Sequence, residues 1–180
     1  MLLSYIKFSP ALGALSALGH CLPTTTSTSS ISIPTPTYLF TAELYIGNIL
    51  TPPIPLLEGG SVTIEPLVNG TVKGPALNGT IYSGFAAATV VSNNTVTGNN
   101  VTVQVPSIYV YGETSDGLPF YVQETGVGPI AGQNTRLQIA VGGKHSSLQT
   151  AFIIAQPSIN MARTKVTVPC FSIPLAPGIA

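Results

Sequence analysis

Asn69-Gly-Thr-Val-Lys-Gly-Pro-Ala-Leu-Asn-Gly-Thr-Ile81 decides how this chain is read. Two Asn-Gly steps and one Gly-Pro step interrupt short runs of β-branched and apolar residues. Asn and Gly tolerate the left-handed backbone of tight hairpin turns, so the pattern is that of strands folding back on themselves. On the N-terminal side, Tyr38–Gly47 sets Phe40, Ala42, Leu44 and Ile46 against Thr41, Glu43 and Tyr45, the two-residue period of a half-buried strand. On the C-terminal side, Ser107–Thr114 and Leu118–Thr125 form a hairpin across Ser115-Asp-Gly117. Ser61–Lys73, Leu77–Val91, Arg136–Val141, Leu148–Gln156 and Thr164–Ile173 supply further strands. Leu50–Leu57 reads as a loop, because Pro52, Pro53 and Pro55 cannot donate to a ladder. Ser92–Asn100 reads as a polar loop. No segment beyond the N-terminal region has helical periodicity. Roughly eight strand-plus-turn units in succession predict an all-β domain over residues 38–180, a single antiparallel barrel.

Charge narrows the function. Of 180 residues only 7% are charged, six basic against six acidic, and the formal net charge is zero. No basic patch exists to displace counterions, so nucleic acid is not an expected partner. A closed barrel also removes the strand edges that so neutral a surface could not guard with charge.

The N-terminal region points to export. Lys7, the apolar run Phe8–Leu18 and the small-x-small step Ala17-Leu-Gly19 predict a signal peptide over residues 1–19. The alternative is a buried helix retained in the mature chain. The run is short and broken by Pro10, so no membrane span is expected. Residues 20–37 form a Ser/Thr/Pro-rich arm that buries too little apolar surface to order itself. Asn69, Asn78, Asn93 and Asn100 each stand two residues before Thr, the acceptor pattern for N-glycosylation. The expected product is a secreted glycoprotein. In an oxidising compartment Cys21 and Cys170 are expected to pair, closing a long loop for ~2–4 kcal/mol of stability. The alternative leaves Cys21 in a disordered tail or removes it with the leader.

The catalytic inventory is small. His145 is the one histidine well inside the domain, too few for a metal cluster, and no dinucleotide or phosphate-loop fingerprint is present. No metal and no cofactor are therefore expected. The richest cluster is the hairpin at 107–126. Tyr109, Tyr111 and Glu113 share one face of its first strand. Tyr121 and Gln123 share a face of the second, with Phe120, Val122 and Glu124 opposite. With Asp116-Gly117 at the tip, Glu113 and Tyr121 are expected to meet across the strands. A tyrosine and a carboxylate in an apolar barrel mouth can act as general acid and base. The candidate catalytic residues are thus Glu113, Tyr121, Glu124, Asp116 and Tyr111. Tyr109 and Arg163 are candidate ligand-binding residues, Arg163 as an anion clamp or the partner of an acid. The competing reading is a solvated turn beside ordinary strand aromatics.

The opening stretch and Thr114-Ser-Asp-Gly-Leu-Pro-Phe-Tyr-Val-Gln-Glu-Thr-Gly126 together resemble the DUF3237 family of domains of unknown function, over Tyr38 to Ile173. The resemblance implies a small barrel similar to the calycin and allene oxide cyclase-like barrels, in a secreted fungal branch. Some fungal relatives act in cyclisation of secondary metabolites. Ser83-Gly-Phe-Ala-Ala87 departs from the pattern, having neither the acid nor a Trp where many bacterial members carry an acid and an aromatic. Three functions are compatible with these residues. The first is a secreted barrel binding a small apolar molecule. The second is a cofactor-free cyclase or isomerase, and the third an extracellular or cell-wall structural protein. The sequence does not specify an oligomeric state.

Overall fold

The computed structural model describes residues 34–57, 59–93, 101–129 and 132–174. The signal peptide, the arm up to residue 33, Cys21 and Asn100 lie outside the described residues. Ten strands follow in chain order: β1 Thr37–Ile46, β2 Leu50–Pro55, β3 Ser61–Lys73, β4 Gly79–Asn93, β5 Val101–Thr114, β6 Pro119–Val127, β7 Asn134–Val141, β8 Phe152–Ala155, β9 Ser158–Ile159 and β10 Lys165–Ile173. All pairings are antiparallel. The order β1-β10-β8-β7-β6-β5-β4-β3 closes where β3 pairs with β1, giving an eight-stranded barrel with β2 and β9 outside it.

Side-chain alternation explains why these segments are strands. In β7, Thr135, Leu137, Ile139 and Val141 are buried, while the residues between them are exposed. Each of the eight barrel strands contributes such a row to the core, whose most deeply buried side chains include Phe40, Leu77, Ile81, Ile153 and Cys170. Gly70 and Gly112 sit where strands approach closely. A Cβ at Gly70 would strike the Glu43 carbonyl on β1, and one at Gly112 would strike the Thr80 carbonyl and the Phe120 ring.

β3 does double duty. Leu67–Lys73 pairs with β1 to close the barrel, while Ser61–Ile64 pairs instead with β2. β3, β4 and β5 therefore run past the barrel as a ribbon with β2 on its edge. Leu50–Pro55 is thus a strand rather than the expected loop. It pairs on one side only, where prolines cost no ladder bond. Two further expectations are corrected. β5 begins at Val101, since Val103 and Val105 extend the ladder with β4. Leu148 lies in a 3-10 turn, Gly143–Gln149, which Gly143 enters at φ +59°, and the next strand begins only at Phe152.

That 3-10 turn closes one end of the barrel. His145 Nδ1 lies 2.9 Å from the Ala76 carbonyl, and its Nε2 lies 3.2 Å from Asp116 Oδ1. Lys144 Nζ reaches Asp116 Oδ2 at 3.2 Å. Three turns are tied together, and Leu77 and Leu148 are buried at this end.

Candidate functional site

The opposite end is open. A cavity of about 50 Å³ enters there, its apolar wall formed by Leu44, Ile46, Leu67, Ala86, Ala88 and Ile108 among others. Below it lies a second void of about 30 Å³, which shares Leu44, Ile108, Glu124 and Val168 with the first. Five polar side chains line the upper cavity: Glu65, Gln104, Glu124, Gln133 and Arg163.

Each is held by a different element. Glu65 and Glu124 occupy inward positions of β3 and β6 and are almost fully buried. Gln104 of β5 accepts a 2.9 Å hydrogen bond from Gln133 Nε2. The backbone of Gln104 bonds in both directions to Gly128, which fixes the rim. Arg163 stands in the β9–β10 turn with φ 52°, a left-handed conformation that costs a non-glycine residue ~1–2 kcal/mol. Asn160 enforces that turn. Its Oδ1 accepts from the amides of Thr164 and Lys165 at 2.9 and 3.1 Å, and its carbonyl accepts from the Arg163 amide. The result carries the guanidinium over the mouth, where Nη2 donates to Glu65 Oε1 at 2.9 Å.

Glu124 differs from every other acid in the described chain. Its Oε1 is buried and has no hydrogen-bond partner among the described residues. Burial pushes its carboxyl up to about 7, and the Thr135 hydroxyl draws it back only in part. The Cys170 thiol is pushed up too, first by burial and then by the charge of Glu124. One cavity is thus lined by a buried carboxyl of raised pKa, a guanidinium and a pair of amides. Such a set can take up and return a proton on a substrate whose apolar part rests on the walls. Among the described residues no three His, Cys, Asp or Glu side chains cluster as metal ligands would.

Of the sequence-predicted residues, Glu124 and Arg163 line this cavity. Tyr109, Tyr111 and Tyr121 do not, because strand alternation turns them onto the outer surface. There Tyr109 stacks with Tyr121 at 6.4 Å and against Phe85 at 5.1 Å. Glu113 also faces outward. It pairs across the ladder with Pro119, and its carboxylate accepts from the Tyr82 hydroxyl at 3.1 Å rather than meeting Tyr121. That hydrogen bond is the main cause of the raised Tyr82 pKa. Asp116 is at the closed end, held well below the usual carboxylate range, chiefly by the Thr114 hydroxyl and then by His145 and Lys144.

Cys170 is a buried free cysteine among the described residues, and its expected partner Cys21 lies outside them. Cys170 points into the core on the same row of β10 as Val168. Asn69 and Asn78 are exposed, and Asn93 ends β4. The Asn78 side chain is engaged, donating to the Gly74 carbonyl at 2.7 Å and accepting from the Gly74 amide.

Glu65, Gln104 and Gln133 were not singled out by the sequence. Glu65 carried a readable signal, an acid on the same face of β3 as Leu67. Gln133 carried none, because its position depends on how a Gly-rich turn meets β5.

Comparison with known proteins places the fold. No curated protein matches the sequence. A conserved protein of unknown function from Rhodopseudomonas palustris superposes with a TM-score of 0.67 at 17% identity, covering 81% of this chain and all of its own. An enzyme from Penicillium herquei gives 0.60 at 18% identity, covering 81% of this chain and 98% of that one. A β-barrel-like protein from Acinetobacter baumannii gives 0.63 at 14% identity, with 82% and 99% covered. The family model described as "Protein of unknown function (DUF3237)" matches residues 34–166, and the chain belongs to that family.

Proposed function

We propose that this protein is a cofactor-free acid–base catalyst of the isomerase or ring-closing type, acting on a small, mostly apolar molecule at the open mouth of the barrel. The observation that carries this reading is the unpartnered, buried Oε1 of Glu124 at the junction of the two voids. A core without a task has no use for such an oxygen, since leaving it bare costs ~1–3 kcal/mol. Strain of this kind concentrates at functional sites. The same barrel carries an enzyme in Penicillium herquei.

The cavity is far smaller than the ~300–1,000 Å³ that encloses a whole drug-sized ligand. Only the reacting end of the substrate enters, and its body stays in the mouth near Pro157, Ile159 and Arg163. Glu124 removes a proton from one atom of that end and returns it to another, so composition is unchanged and no cofactor is consumed. Arg163 faces the oxygen on which negative charge develops, with donors to spare beyond the one given to Glu65. The second reading is a binding protein with no chemistry. The small volume and the bare carboxyl speak against it, because simple apolar binding is weakened by an unpartnered acid.

We place this activity outside the cell. The leader-like residues 1–19 and the exposure of Asn69 and Asn78 support export and glycosylation.

The test has two arms. Carboxyl ¹³C NMR of Glu-labelled protein should show one glutamate titrating near pH 7, absent in Glu124→Gln. Native mass spectrometry against a panel of uncharged aromatic ketones and hydroxyketones should show retention by the wild type. Turnover of a retained compound should fall by about 10²–10⁴ in Glu124→Gln and be unchanged in Glu113→Gln. A Glu124 that titrates as an ordinary carboxylate, or a retained compound converted equally by Glu124→Gln, ends the proposal.

A further inference from the structure

Among the described residues, the outer face of the ribbon formed by β2 to β6 is a large surface with little charge. Ladder pairing sets its residues in rows across the sheet. One row runs Ile54, Val62, Thr89, Val105, and the next Leu50, Ile64, Ala87, Ser107. A third runs Pro66, Phe85, Tyr109, Gln123, and the last brings Tyr111 beside Tyr121. None of these is ionisable at neutral pH. On the outward positions of these five strands the charged residues are Lys73 and Glu113, both toward the closed end of the barrel. Leu50, Ile54, Phe85, Val105, Tyr111 and Tyr121 are each between 42% and 59% exposed.

We propose that this face is a self-association interface, occupied by the same face of a second copy. Three observations select that occupant. The first is extent: the outward rows cross five strands and carry six large side chains each between 42% and 59% exposed. The second is charge. The patch offers no ion-pair partner, so a charged ligand or partner would lose its hydration with nothing in return. The surface that matches it without such a loss is another uncharged one, and a chain with so few charges meets its own copy with little repulsion. The third is the edge. Pro52, Pro53 and Pro55 leave β2 short of donors for another strand. Growth edge to edge is blocked, and a twofold face-to-face pairing closes the assembly at two copies. The ring geometry agrees: Tyr109 stacks on Phe85 and Tyr121, so ring edges rather than faces point outward, which suits packing against aliphatic side chains better than stacking on a flat ligand.

Sedimentation velocity from 1 to 100 μM, on protein produced through secretion, tests this. The wild type should run as a dimer. The double variant Val105→Lys with Tyr111→Lys should run as a monomer at every concentration, with an unchanged circular dichroism spectrum. Ser147→Lys, an exposed change at the closed end, should leave the dimer intact. A monomeric wild type at 100 μM overturns the proposal, as does a double variant that keeps the dimer mass. Flotation with neutral phosphatidylcholine vesicles separates the remaining occupant: a monomer that floats assigns the face to a lipid surface and likewise overturns the proposal.

Discussion

At the mouth of the barrel Glu124 is walled by apolar side chains and one of its oxygens meets no donor. At the closed end Asp116 stands near solvent, with a hydroxyl, an imidazole and an ammonium around it. The same functional group is pushed up in one place and down in the other. The difference is whether the fold supplies donors faster than it removes water. The closed end uses its acid to join three turns. The mouth leaves its acid unsatisfied.

Protons therefore act on the two ends with opposite sign, and this is where the comparison is most easily broken. Glu124 ionises near 4.5 in the unfolded chain and at about 7 in the fold. Between those values the folded state holds a proton that the unfolded state has lost, so stability falls as pH rises through the window. The full penalty above pH 7 is about 3 kcal/mol. Glu124→Gln should raise the urea midpoint at pH 8 and change it little at pH 4. A variant no more stable than wild type at pH 8 would show that the carboxyl is solvated after all.

The next effect concerns the guanidinium over the mouth. Arg163→Ala strands the buried Glu65 carboxylate and should destabilise the protein by about 2 kcal/mol, less than a fully buried pair because Arg163 is partly in water. Arg163→Gly should lose about 1 kcal/mol less than Arg163→Ala, since glycine takes φ 52° without strain. Equal losses in thermal melts would mean that the lost ion pair, not the strain at φ 52°, sets the cost.

At the closed end the direction reverses. The depressed Asp116 pKa gives stability that is whole above the ordinary carboxylate value and lost as pH falls through the lower folded one. Asp116→Asn should lower Tm by a few degrees at pH 7 and flatten its fall below about pH 4. An unchanged acid limb would show that the clamp with His145 contributes nothing.

The smallest effect sharpens the contrast between inside and outside. Glu113→Gln removes an exposed hydrogen bond to Tyr82 and should change stability by less than about 0.5 kcal/mol. A larger change in chemical denaturation would give the outer face a role in folding.

Local pattern made most of the barrel legible. Turn residues such as Asp116-Gly117 and the alternation from Phe40 to Ile46 are short-range properties, and the strands they imply are present. The face on which each hairpin residue lies was legible as well, because side-chain direction alternates with period two. Tyr121 and Glu124, three apart on β6, had to lie on opposite faces. Which face became the interior was another matter. The site expected at Glu113 and Tyr121 lies on the outside, because the barrel closes around the Val122–Glu124 face, and the buried partners of Glu124 come from strands distant in the chain. Pro52, Pro53 and Pro55 were read as loop because an edge strand is defined by the neighbour it lacks.

Composition and spacing by themselves determined an uncharged, all-β chain and its hairpin turns, since each depends on a few adjacent residues. Closure of β3 onto β1, the burial of Glu124 without a donor, the reach of Arg163 to Glu65 and the burial of Cys170 were decided by tertiary structure alone. Desolvation and ion pairing depend on everything within a few ångströms, and those neighbours come from distant residues, such as Glu65 and Arg163, 98 positions apart.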